Sequence, residues 1–167
     1  VSGSTIHASC VRWGGLGVLI RGESGAGKSA LAHMMLTRAP VYGTEAMLVA
    51  DDRVLLEVRN GALAARPPDV LAGLLEVRGL GIVSFPYLPE TRLDLVLDLG
   101  AEQNTPRMPV SDELSVILHG VTLPRAFAST PQRGLDVLLT VTGHAGALLD
   151  PYVSLASVRF DGKTERS

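Results

Sequence analysis

Cysteine is all but missing from this chain of 167 residues. Cys10 stands alone, which excludes an intramolecular disulfide framework and any zinc site built on several thiolates. Lysine is nearly as scarce, occurring only at Lys28 and Lys163, with arginine supplying the rest of the 15 basic residues. No apolar run approaches the ~18 residues that a membrane-spanning helix needs, and the opening residues lack the charged-then-apolar layout of a signal peptide. With a net charge of −2 there is no field of one sign to attract a nucleic-acid backbone. These absences lead us to expect a cytoplasmic protein that engages neither membrane nor nucleic acid. What is present is 46% hydrophobic residues, enough apolar material at this length for one well-filled core and a single domain over residues 1–167.

Residue patterning predicts strands at Thr5–Val11 and Gly17–Arg21 around a Gly14-Gly15 turn, then a helix over Lys28–Arg38 stopped by Pro40 and Gly43. A short buried strand, Ala46–Ala50, runs into Asp51-Asp52. Asn60-Gly61 is the strongest hairpin signal, joining Arg53–Arg59 to Ala62–Arg66. Further on, the chain predicts a helical turn at Val70–Leu75, a loop over Glu76–Gly81 and a half-exposed strand at Leu93–Leu99. Paired strands follow at Ser115–Leu118 and Gly120–Leu123, then a helix over Arg133–Leu149 and a polar, frayed end at Asp161–Ser167.

Chemistry concentrates at Gly22-Glu23-Ser24-Gly25-Ala26-Gly27-Lys28-Ser29, a full match to G-x-x-x-x-G-K-[ST] between a strand and a helix. Glycines at 22, 25 and 27 allow positive φ, so that successive N–H groups converge on an anion. The helix opening at Lys28 directs its positive end to the same point. Lys28 can reach β- and γ-phosphates, and the Ser29 hydroxyl is a hard oxygen ligand for Mg²⁺. The lysine's compact ammonium stands out in so arginine-rich a chain.

Asp51 and Asp52 end an apolar strand, where open α/β sheets place their ligand crevice. On an extended segment adjacent side chains diverge. One carboxylate then faces the metal and phosphates, while the other meets an acceptor as a general base or packs structurally. No Asn-Lys-x-Asp guanine-reading motif follows, which argues against a GTPase.

Three segments in order resemble the bacterial HPr kinase/phosphorylase family: His7 ahead of Gly17-Val-Leu-Ile-Arg-Gly-Glu-Ser-Gly-Ala-Gly-Lys-Ser29, then Leu48-Val-Ala-Asp-Asp-Arg-Val54, then Leu75-Glu-Val-Arg-Gly-Leu-Gly-Ile82. The second and third are the diagnostic ones. The resemblance covers roughly Ile6–Arg107 and implies an α/β P-loop kinase core with a mixed β-sheet, close in fold to phosphoenolpyruvate carboxykinase. It implies phosphoryl transfer from ATP, with Mg²⁺, to a serine of an HPr-like phosphocarrier protein, and removal of that phosphate by phosphorolysis.

Carried over residue by residue, the resemblance makes Lys28 a phosphate ligand, Ser29 and Glu76 metal-associated, and Asp52 the general base. Asp51 supports the metal, His7 lies near the phosphates, and Arg107 matches the family's catalytic arginine. It further implies a homo-oligomer, typically a hexamer, and a likeness to short members without the family's N-terminal domain. Val121-Thr-Leu-Pro-Arg-Ala126 matches the dephosphorylation segment only loosely, and residues 133–167 match poorly. Without the family, His7 reads as a structural histidine, Glu76 and Arg78 as a surface pair worth ~0–1 kcal/mol, and Arg107 as a loop cation. Two other functions stay open: a kinase or ATPase of the same core acting on a small molecule, and a nucleotide-sensing module without turnover.

Overall fold

The first two strands, β1 (Ser4–Trp13) and β2 (Leu16–Arg21), form an antiparallel hairpin across Gly14-Gly15, and β2 feeds the glycine-rich loop that opens helix α1 (Lys28–Arg38). The computed structural model describes residues 4–143. After α1 and a 3-10 turn come β3 (Ala46–Ala50), β4 (Arg53–Arg59) and β5 (Ala62–Arg66). The β4–β5 hairpin turns through Asn60 and Gly61, both at positive φ, as a two-residue turn of this kind requires. Then follow β6 (Leu74–Val77), β7 (Gly81–Ser84), the two-residue β8 (Thr91–Arg92), β9 (Leu95–Leu99), β10 (Ser115–Leu118), β11 (Val121–Ala128) and helix α2 (Pro131–Gly143).

Nine strands make one mixed sheet in the order β10-β11-β9-β2-β1-β4-β5-β8, with β3 also pairing β1, while β6 and β7 form a separate hairpin. The middle strands β2, β9 and β11 run parallel, and their carboxyl ends converge where the glycine-rich loop begins. Alternate residues of these strands enter two cores. Val18, Ile20, Leu95, Leu97 and Leu99 pack under α1 and α2 with Leu31, Met35, Leu135 and Leu138. Leu19 and Val96 face the other way and pack with Val54, Leu63, Leu93 and Leu123.

Several sequence expectations shift here. Leu93–Leu99 alternates leucine with aspartate, yet β9 is central and covered on both faces, so Asp98 is accommodated by pairing with arginines rather than by solvent. Val70–Leu75 supplies one 3-10 turn, Asp69–Leu71, and then enters β6. The segment read as a loop holds the β6–β7 hairpin, so Glu76 sits on a strand. The last strand runs on to Ala128, because β9 offers it a second, parallel partner beyond β10.

α2 starts at Pro131, two residues ahead of the expected Arg133. Thr130 caps it by accepting the Arg133 N–H at 3.1 Å, and proline is well suited to a first helical position. The remainder of the helix expected to Leu149, and the polar end Asp161–Ser167, lie outside the described residues. No helix among the described residues is long and apolar enough to cross a membrane.

Leu97 is fully buried between the sheet and both helices. Leu97→Ala is expected to lower unfolding free energy by about 2–5 kcal/mol in a urea titration. Cys10 gives an independent readout: burial pushes its thiol pKa well up, so thiol reagents should label it only as the chain unfolds.

Candidate active site around the phosphate loop

The loop's shape follows from its glycines, though not in one uniform way. Gly25 and Gly27 take φ of +85° and +101°, where a β-carbon is strained. Gly22 does not adopt positive φ. It is needed because a methyl group there would fall 2.5 Å from the Leu99 carbonyl oxygen at the end of β9. α1 begins directly after Gly27 with no side-chain cap and no acidic residue in its first turn, leaving its first N–H groups directed at an anion site.

Lys28 is buried, its ammonium donating to the Gly22 and Glu23 carbonyl oxygens at 2.8 and 2.9 Å. Burial lowers its pKa from the ordinary lysine value, opposed by the nearby charges of Asp51 and Asp52.

β3 and β4 lie end to end along the same edge of β1, and Asp51-Asp52 forms the kink between them. Asp51 turns inward and is 5% exposed. Its carboxylate accepts the Ser9 hydroxyl at 2.6 Å, the Ser29 hydroxyl at 2.8 Å, and the Glu76 backbone N–H in a long contact of 3.5 Å. Asp52 turns outward and pairs with His7 Nε2 at 2.9 Å. The divergence expected of neighbouring carboxylates is therefore present, but it arises from a left-handed kink, with Asp52 at φ +66°, and not from extended backbone. Aspartate is among the few residues that visit this region readily.

A cavity of about 590 Å³ joins these groups. It is lined by the loop, Lys28, Ser29, His7, Asp52, Glu76 and Arg78. Of the residues singled out in the sequence, Asp51 is outside the lining but hydrogen-bonded to Ser29, which is part of it, whereas Arg107 stands apart, exposed on the segment between β9 and β10 and lining neither this cavity nor the one on the loop's other side. Glu76 and Arg78 make no ion pair with each other among the described residues; both face the cavity instead.

Sequence reasoning missed Ser9, whose one signal was a hydroxyl within the apolar centre of β1. It also gave no cavity role to Arg78. For a metal, the donors that converge are all hard oxygens, Ser29 Oγ and the Asp51 carboxylate, with the Glu76 carboxylate lining the same cavity. That set suits Mg²⁺, which takes one or two carboxylates and completes its shell with phosphate oxygens and water. Among the described residues no three His, Cys, Asp or Glu side chains cluster as a metal cage.

Comparison with known proteins gives this geometry a context. The family model described as "HPr Serine kinase C-terminal domain" matches residues 2–116. An HPr kinase/phosphorylase of Clostridium novyi is 32% identical over 144 residues, covering 80% of this chain and 45% of that protein. One from Geobacillus thermodenitrificans is 34% identical over 150 residues, covering 83% and 46%. The chain thus spans about half the length of these curated relatives. The solved structure of the Hpr(Ser) kinase/phosphatase from Coxiella burnetii superposes with a TM-score of 0.71 at 26% identity, covering 85% of this chain and 96% of that one.

Ser9→Ala removes a fully buried donor to a buried carboxylate. We expect it to destabilise the fold by about 1–3 kcal/mol in chemical denaturation, with no change if the hydrogen bond is energetically idle.

Proposed function

Because this chain belongs to the family of the HPr Serine kinase C-terminal domain, we propose that it is an ATP- and Mg²⁺-dependent kinase that phosphorylates a serine of an HPr-like phosphocarrier protein. The observation that carries this reading is that the phosphate loop, Ser29 and the outward-facing carboxylate of Asp52 line one cavity, with the Ser29 hydroxyl held at 2.8 Å by the buried Asp51.

In the proposed reaction the seryl oxygen of the acceptor attacks the γ-phosphorus of ATP. The bond to the β,γ-bridging oxygen breaks, ADP leaves with that electron pair, and the hydroxyl proton passes to Asp52. His7, 2.9 Å from Asp52, orients the base. Loop amides and Lys28 balance the charge on the phosphates, so the protein acts by positioning and electrostatics. Ser29 and Asp51, with Glu76 as a further carboxylate, would hold Mg²⁺, which would supply additional neutralisation of phosphate charge. Phosphorolysis uses the same groups in reverse roles: inorganic phosphate attacks the phosphoserine phosphorus, the seryl O–P bond breaks as pyrophosphate forms, and the proton lost by the attacking hydrogen phosphate passes by way of Asp52 to the seryl oxygen. The exposed Arg107 enters this scheme as a charge-neutralising group only if its loop moves toward the cavity when substrate binds.

The test is transfer of label from γ-labelled ATP to purified HPr. Lys28→Ala should abolish transfer. Asp52→Asn should keep ATP binding while turnover falls roughly 100- to 10,000-fold, and retained turnover removes the general-base role. Label passing to small hydroxyl compounds but not to HPr selects a small-molecule kinase, and ATP binding without turnover on any acceptor selects a sensing module. We also carry the family's assembly to this chain: light scattering should find a homo-oligomer, with a hexamer as the specific expectation and a monomer overturning it.

A further inference from the structure

The phosphate loop has two sides, and the proposed reaction occupies only one. On the other side lies a second cavity of about 600 Å³, bounded by Gly22–Ala26 of the loop, the end of β9 with the segment that follows it, and Arg125 and Phe127 of β11. The two cavities meet on the loop, since Ser24 and Gly25 line both. A methyl group added at Gly25 would meet nothing within 4 Å, so the crest between them is open.

The second cavity differs in chemistry from the first. Its wall is a fixed, flat platform. Strand register sets Arg21, Asp98 and Phe127 in one row across β2, β9 and β11. Arg21 grips Asp98 with two donors, at 2.7 and 2.8 Å, and Arg125 Nε donates to the other side of the same carboxylate at 2.7 Å. Asp98 is 17% exposed and both arginines are under 30%. With its Nε tied down, the Arg125 guanidinium lies over the Phe127 ring, 4.4 Å from the centroid. A guanidinium held this way stacks readily on a flat π-system. The first cavity is lined instead by charges of both signs and has no Phe, Tyr or Trp side chain in its wall. Asn104 adds an amide donor and acceptor at the edge of the second cavity.

We infer that this second cavity is the nucleoside subsite, in which the base of the phosphoryl donor stacks against the Arg125–Phe127 platform while its phosphate tail crosses the loop at Ser24–Gly25. This inference rests on the proposed function and deepens it by naming the residues that select a nucleoside triphosphate over a bare polyphosphate. Asp98 is a positioning residue here, because it acts through Arg125.

The test measures the affinity of the intact chain for two probes, ATP and inorganic tripolyphosphate, by calorimetry. Phe127→Leu keeps apolar bulk while removing the aromatic face, and Arg125→Ala removes the guanidinium. Each should weaken ATP binding by roughly 10-fold or more and leave tripolyphosphate affinity unchanged. In turnover, KM for ATP should rise with little change in kcat. Unchanged ATP affinity in Phe127→Leu overturns the inference and leaves the phosphate-site reading standing. Loss of both probes in Phe127→Leu assigns the ring a structural role and likewise overturns it. Failure of the unsubstituted protein to bind either probe removes the phosphate-site reading itself, and the subsite with it.

Discussion

The Asp51 carboxylate is the point through which this structure holds its site together. It is buried, and a buried carboxylate is tolerable only when its lone pairs are occupied. Ser9 from β1, Ser29 from the first turn of α1 and the backbone N–H of Glu76 from β6 each supply a donor. Three elements that are distant in sequence are thereby fixed around one charge. The helix that follows the phosphate loop cannot shift along the sheet without breaking the Ser29 contact, and movement of β6 away from Asp51 would lengthen an already long Glu76 contact. The same kink that sends Asp51 inward turns Asp52 outward toward His7. One local backbone decision therefore sets both a structural anchor and an accessible carboxylate.

The sheet supplies the complementary constraint. Parallel strands bring their carboxyl ends to one edge, and the loop after β2 rises from that edge between two differently lined hollows. Gly22 is the pivot, since the loop passes so close to the Leu99 carbonyl that no side chain fits. On one side the groups are titratable and of both signs. On the other, an arginine–aspartate–arginine bridge fixes a flat surface. A charged row at this position is unusual for a central strand, and it persists because Asp98 meets two guanidinium groups in paired, charge-assisted hydrogen bonds. Division of the surroundings of one loop into a side lined by titratable groups and a side lined by an arginine–phenylalanine pair is a physical consequence of which strand neighbours β2 on each flank.

How much of this was legible beforehand depended on the range of the interactions. The phosphate loop was readable because eight adjacent residues carry it and its flanking strand and helix have strong periodicity. The Asn60-Gly61 hairpin was readable for the same reason. Glu76 was located by its resemblance to a family segment, but its strand was not, because Glu76-Val-Arg-Gly-Leu-Gly is rich in turn residues and β6 pairs only with β7. Leu93–Leu99 misled because alternation normally signals one wet face, and nothing local reveals that Arg21 and Arg125 will arrive to pair with Asp98. Arg107 was matched by motif, and it lies on an exposed segment away from both hollows.

The amino-acid sequence by itself determined that a glycine-rich loop of the phosphate-binding pattern exists, that it sits between a strand and a helix, and that two carboxylates follow it. Those features depend on φ preferences, dipoles and neighbouring residue types, all of which act within a few residues. Tertiary structure decided which carboxylate is buried, that Ser9 reaches it, and that Arg125 and Phe127 stand beside the loop. Such choices depend on strand register and order between segments up to a hundred or so residues apart. Only the packing of the whole sheet against its two helices selects that register.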